Sequence, residues 1–139
     1  MISPNMIILA YLKSRPLLTA LVGDDTPRIY VLSIPEGLTV PAITFYLSGG
    51  PPSNPYIPGI RRHDVTFNAW AGSQSAAHTV YNALYTELQG IQHTTVTIDT
   101  VDYEIQASIE SVPGQDIQEQ DPPQYHRVMG LFAMTIKCE

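Results

Sequence analysis

His63–Ala71 reads HDVTFNAWA, and after Gly72-Ser73 the chain continues QSAAHTVYNALYTELQ over Gln74–Gln89. The first stretch alternates: Val65, Phe67 and Ala69 fall on one face, and Asp64, Thr66, Asn68 and Trp70 on the other, as in a strand with period two. The second changes period. Ala76, Ala77, Val80, Tyr81, Leu84 and Leu88 recur at spacings of three and four, an apolar stripe that predicts a helix lying on a sheet, capped near Ser73 and stopped by Gly90. A strand that turns directly into a covering helix predicts an α+β domain in which this helix covers the Phe67 face.

The rest of the chain extends the pattern on both sides. Ser3-Pro4 signals a helix start, with Met6, Leu9 and Leu12 at helical spacing; Pro16 interrupts, so Ser14 or Arg15 opens a second short helix carrying Leu17, Leu18 and Leu21 and ended by Gly23. Arg28–Leu32 is a short β-like stretch, and Ala42–Leu47 (AITFYL) is a β-branched and aromatic run bounded by Pro41 and Gly49-Gly50. Thr95–Ile98 and Tyr103–Ser111 flank Asp99–Asp102, read as a hairpin turn, and a final strand runs from about Tyr125 to Lys137. Two stretches read as long Pro-containing loops: Gly49–Gly59, with Pro51, Pro52, Pro55 and Pro58, and Val112–Pro123 (VPGQDIQEQDPP). The expectation is one domain over residues 1–139, a mostly antiparallel β-sheet with one main helix and the N-terminal helices packed on it.

Composition narrows the function. Of 139 residues, 44% are apolar and only 14% charged, against about a quarter in ordinary globular chains, so much of the surface is neutral or covered by other protein. A lone Cys138 excludes an internal disulfide and a multi-thiolate zinc site. The seven-residue apolar run Met6–Leu12 is too short for a membrane span and precedes its basic residues, so it is neither a span nor a secretory signal, and the chain reads as soluble and made inside the cell. Charge is unevenly placed. Residues 1–70 hold five basic side chains (Lys13, Arg15, Arg28, Arg61, Arg62) and four acidic ones, a balance of +1; residues 71–139 hold two and nine, a balance of −7. No basic face exists to grip phosphates.

Catalytic and metal patterns are absent. His63-Asp64 are neighbours on a strand and point to opposite faces, so they do not form a general-base pair. Asp99, Asp102, Glu104, Asp116, Glu119 and Asp121 lack the spacing of a calcium loop, and His78, His93 and His126 share no helix face for a metal. No phosphate-binding glycine motif or nucleophile elbow occurs. The sequence therefore predicts no enzyme, cofactor or metal. Interface residues are the remaining candidates: Pro51, Pro52, Asn54, Tyr56, Arg61 and Arg62 in and beside the first loop, Trp70 on the sheet face away from the helix, and Gln115, Asp116, Glu119 and Asp121 in the second loop.

Several of these segments, in order, resemble one family. Leu17-Leu18-x-x-Leu21-Val22-Gly23, Arg28-Ile29-Tyr30, Val40–Phe45 with Ser48-Gly49-Gly50, Asp64–Ala71 running into an Ala-rich helix, and a closing Tyr125–Val128 strand are similar to the tail-completion or tail-terminator proteins of long-tailed (siphovirus-like) bacteriophages. The resemblance covers nearly the whole chain. It implies a structural protein of the virion neck and tail, made in the host bacterial cytoplasm, that forms a homo-oligomer, commonly a hexameric ring. The ring stops growth of the tail tube protein and presents a surface to the head-completion protein, while genomic DNA passes through without specific binding. The alternatives are another neck component, such as the head-completion protein itself, or a small ligand-binding domain with a pocket between helix and sheet.

Overall fold

In the computed structural model the described residues are 3–23, 27–32, 40–49, 60–118 and 126–137. They form three helices, α1 (Pro4–Lys13), α2 (Pro16–Val22) and α3 (Gln74–Leu88), and six strands, β1 (Ile29–Val31), β2 (Ala42–Gly49), β3 (Ile60–Ala71), β4 (Gln92–Ile98), β5 (Val101–Gln118) and β6 (His126–Lys137).

Local sequence sets each helix boundary. The Ser3 hydroxyl accepts the Asn5 N–H and Pro4 sits in the first turn of α1, where its missing N–H costs nothing. Pro16 opens α2 in the same way, and Gly23 ends it at φ 118, a conformation open to glycine. The Ser73 hydroxyl caps α3 by accepting the Ala76 N–H at 3.2 Å.

The strands join one sheet in the order β1-β2-β3-β6-β5-β4. The expectation of a mostly antiparallel sheet served by one main helix is corrected here. The sheet is mixed, because β1 pairs parallel with β2 (Ile29 with Ile43, Val31 with Phe45), and it curls into a half-barrel served by three helices. Two features of the chain account for the difference. β1 has only three residues, too few for any periodicity to reveal its direction. The pairing of β5 with β6 slips at Ile105/Ala107, Glu110/Val112 and Val112/Gln115, and such bulges bend and twist a strand locally, curling the sheet. The predicted loop at Val112–Pro123 is corrected too: β5 runs on to Gln118, with Pro113 and Gly114 absorbed by the last of these irregularities.

α3 lies in the curl. Its Ala77, Val80, Tyr81, Leu84 and Leu88 are buried against Phe67, Phe132, Met134 and their neighbours, and Phe67 meets Phe132 edge-on at 5.5 Å between centroids. α1 touches both edge strands of the sheet, β1 and β4. Its Ile7, Ile8 and Leu12 are completely buried, so α1 closes the open side of the half-barrel, and the Tyr11 hydroxyl donates to the Glu87 carbonyl at 2.6 Å to tie α1 to the end of α3. The hairpin between β4 and β5 turns on Asp99 and Thr100 at φ 49 and 67, the two left-handed residues of a type I′ turn.

Candidate functional site

Two surfaces carry the polar chemistry of the described residues: a cleft between α3 and the β5–β6 pair, and the sheet face that no helix covers.

On α3, His78, Tyr81, Asn82 and Tyr85 follow one another at i, i+3, i+4 and i+7 and so share a flank of the helix. That flank faces β5. With Glu110, Gly114 and Val128 these residues line an open cleft of about 330 Å³. His78 Nε2 lies 2.6 Å from Asp116 Oδ1, and the Tyr81 hydroxyl donates to Glu110 Oε2 at 2.6 Å. Burial raises the Tyr81 pKa well above its ordinary value, and the hydrogen bond to Glu110 and that carboxylate's charge raise it further. The Tyr81 ring fills the space above two glycines: a Cβ at Gly130 would come within 2.7 Å of its Cζ, and one at Gly114 within 2.9 Å of its Cε1. Glycine at these positions allows strand and ring to approach closely. The polar groups of the cleft thus engage one another across it, fastening the end of β5 to α3. Among the described residues no group of three or more His, Cys, Asp or Glu side chains is placed to hold a metal ion.

The helix-free face presents alternate residues of β2, β3, β6 and β5. Trp70 belongs to it by alternation. It is 7% exposed; its Nε1 donates to Thr44 Oγ1 at 2.9 Å, and the Arg127 guanidinium lies over its ring at 5.1 Å. Arg127 also donates to Asn68 Oδ1 at 3.3 Å, and Thr66 Oγ1 donates to Ser48 Oγ at 3.2 Å. Thr44, Thr66 and Asn68 are buried with Trp70, so the middle of this face is a satisfied polar layer. Along β5 and β6 the face becomes apolar, with Ile109, Val112 and Ile117 alongside Met129, Leu131 and Ala133; Ile109 is the most exposed of them, at 57%.

The interface candidates from the sequence do not converge on one place. Arg62 sits at the start of β3, 3.6 Å from Asp64, whereas Trp70 sits at the far end of the same strand, eight residues or roughly 26 Å away. Arg61 pairs through its backbone with Ile136, and its side chain lies outside the described residues. Gln115 is exposed on the helix-free face opposite Met129, while Asp116 points to the other side and meets His78. Pro51, Pro52, Asn54, Tyr56, Glu119 and Asp121 lie outside the described residues. Sequence reasoning missed the cleft, because Tyr81 reads as plain core and Glu110 as one acid among many. The signal available was the helical spacing of His78, Tyr81, Asn82 and Tyr85, a polar and aromatic row beside the apolar stripe.

No protein-family model matches the chain, and no curated protein sequence matches it. Among solved structures, the fold recurs in a chain of the virion of a native gene transfer agent particle, with a TM-score of 0.68 at 13% sequence identity, over 97% of this chain and 95% of that one. At this identity the likeness is one of fold.

Proposed function

We propose that the chain is a structural protein of a phage-like virion and, within it, the tail terminator: a ring-forming subunit that caps the tail tube and meets the head-completion protein of the neck. The observation that carries this reading is the shared fold with a gene transfer agent virion chain over nearly the full length of both proteins. An independent likeness in the order of sequence segments to tail-terminator proteins supports the finer assignment. So does the charge content of 14%, which suits a subunit flanked by copies of itself. A closed ring needs two different complementary surfaces on each subunit. The apolar β5–β6 part of the helix-free face and the α3 side of the molecule supply two unlike faces. The reading assigns no catalysis; in the cleft His78 pairs with Asp116 and Tyr81 with Glu110. DNA passes such a ring without being gripped, in keeping with the −7 balance of the second half.

Deleting the gene from the genome that encodes it and imaging the particles tests the assignment. Overlong tails, detached from heads, are the expected outcome. Tails of normal length joined to heads would refute it. Filled heads beside free tails of normal length would reassign the chain to head completion.

A further inference from the structure

The cleft between α3 and the β5–β6 pair holds a negative charge that no described neighbour balances. Glu110 stands half-buried in its wall, with His78, Tyr81, Asn82 and Tyr85 around it. Its Oε2 accepts the Tyr81 hydroxyl at 2.6 Å, but that partner is neutral. Burial holds the Tyr81 phenol protonated, so the carboxylate gains a hydrogen bond and keeps its charge. Oε1 has no partner among the described residues and is not sealed from solvent. Asp116 adds a second carboxylate beside His78, which offsets it only when protonated. Among the described residues no Lys or Arg lies within ion-pair distance of either acid: Arg15 pairs with Glu87, Arg62 with Asp64, and Arg127 lies over Trp70 on the other face of the sheet. A half-buried carboxylate without a cation is costly, and this one is held in place from two sides, by Tyr81 and by its own N–H donating to Gln89 Oε1 at 2.6 Å.

We infer that the cleft is a binding site for an arginine side chain presented by a partner protein. The charge selects a cation. The size, about 330 Å³, lies at the small end of ligand sites and suits one long side chain. Because the cleft is open, it does not enclose a free small molecule; it suits a group that reaches in from a larger body outside. The lining selects guanidinium over ammonium. Glu110 Oε1 and the exposed Asn82 side-chain carbonyl are separate acceptors, and Tyr85, 40% exposed, adds an aromatic ring. The five donors and flat faces of a guanidinium engage all three, whereas an ammonium is a compact and strongly hydrated point charge. The cation comes from charge and geometry in this chain and not from the terminator reading, so solution binding tests one and particle imaging the other.

The test titrates the full-length, isotope-labelled protein with Nα-acetyl-arginine methylamide and follows its amide signals by NMR. The neutral isostere Nα-acetyl-citrulline methylamide and the corresponding lysine compound are titrated in parallel. Fragments of this size bind in the millimolar range. The arginine probe should shift the signals of Asn82, Tyr85 and Glu110, and bind about tenfold or more tighter than the citrulline probe, the factor that one charge-assisted hydrogen bond supplies. Glu110→Gln keeps an acceptor for the Tyr81 hydroxyl but removes the charge, so it should abolish that preference while circular dichroism stays that of the parent. If E110Q does not fold, Tyr85→Ala takes its place and should weaken the arginine probe severalfold. Equal binding of the arginine and citrulline probes, no arginine-dependent shift in the cleft, or a preference that survives in E110Q overturns the inference. A lysine probe that binds as tightly as the arginine probe overturns the choice of guanidinium and with it the inference.

Discussion

Replacing Gly130 by alanine is the sharpest test of how the α3–β5–β6 cleft is built. The added methyl would lie 2.7 Å from Tyr81 Cζ and 2.8 Å from Cε2, about 1 Å inside ordinary carbon contact. The Tyr81 ring is nearly buried and is held at its far end by the 2.6 Å bond to Glu110, so it has little room to retreat. If ring and strand share the displacement, overpacking costs about 1–3 kcal/mol. If the ring leaves its seat, a hydrogen bond to a charged acceptor is lost as well, about 1.5–3 kcal/mol more, against which alanine's lower conformational entropy in the unfolded chain returns about 0.5–1. Shared displacement nets about 0–2.5 kcal/mol and loss of the seat about 1.5–5.5; because the buried, hydrogen-bonded ring has little room to retreat, the expectation is a loss of about 2–5 kcal/mol, a large share of the roughly 5–15 kcal/mol typical of a domain. Urea unfolding at fixed protein concentration, followed by circular dichroism, reads this as a lower midpoint at unchanged slope. Tyr81→Leu supplies the control, because leucine removes the ring that the methyl strikes. In that background Gly130→Ala should cost less than about 0.5 kcal/mol, giving a coupling of at least about 1.5 kcal/mol. Additive losses, or a Gly130→Ala protein as stable as the parent, would refute the close-packed seat.

Three other measurements bear on features already described. Tyr11 and Tyr81 both have pKa values raised in the folded protein, chiefly by burial, so alkaline titration of tyrosinate absorbance should show a late-ionising component that shrinks in Tyr81→Phe. Since the unfolded chain releases those protons first, stability should be full below about pH 10 and fall above it, less steeply in Tyr81→Phe; an unchanged slope in that variant would count against the assignment. Thr100 occupies a left-handed position at φ 67 in the β4–β5 turn, where glycine is favoured, so Thr100→Gly should raise stability by about 1 kcal/mol and the melting temperature by a few degrees; a lower melting temperature would contradict the turn geometry. Ser108 is completely buried and its hydroxyl meets no partner among the described residues, so Ser108→Ala should be neutral or stabilising by up to about 1 kcal/mol in urea unfolding, and a loss above 1 kcal/mol would reveal a hydrogen bond there.

How much of the fold the sequence reveals depends on how much local chemistry each element contains. α3 is legible to within a residue because its cap, its stripe and its stop are all written locally in Ser73–Gly90. β2 and β3 are legible for the same reason: alternation and punctuation coincide. β1 is found, but its parallel pairing is not, since three residues carry too little periodicity to show which neighbour they join or in which direction. Val112–Gln118 is misread because Pro113-Gly114 normally marks a turn; here the dipeptide lies in an edge strand, where a missing N–H breaks no ladder and the missing Cβ admits Tyr81. The sites fare differently. How far a candidate such as Trp70 is covered is set by chain segments far away. The pairs His78–Asp116 and Tyr81–Glu110 span 38 and 29 residues, distances over which no local pattern reaches.

The placement of α1 across the open side of the half-barrel governs the order in which the chain can become a protein. Ile7, Ile8 and Leu12 leave the ribosome well before β4, one of the two strands that α1 bridges, which is not complete until residue 98. For most of synthesis the first helix carries an apolar face with nothing to rest on, and its docking closes contacts of high sequence separation, which form late. The helix made before the strands it rests on is therefore fixed after them. Its burial reports that the rest of the subunit, including the β4 edge, is already in place.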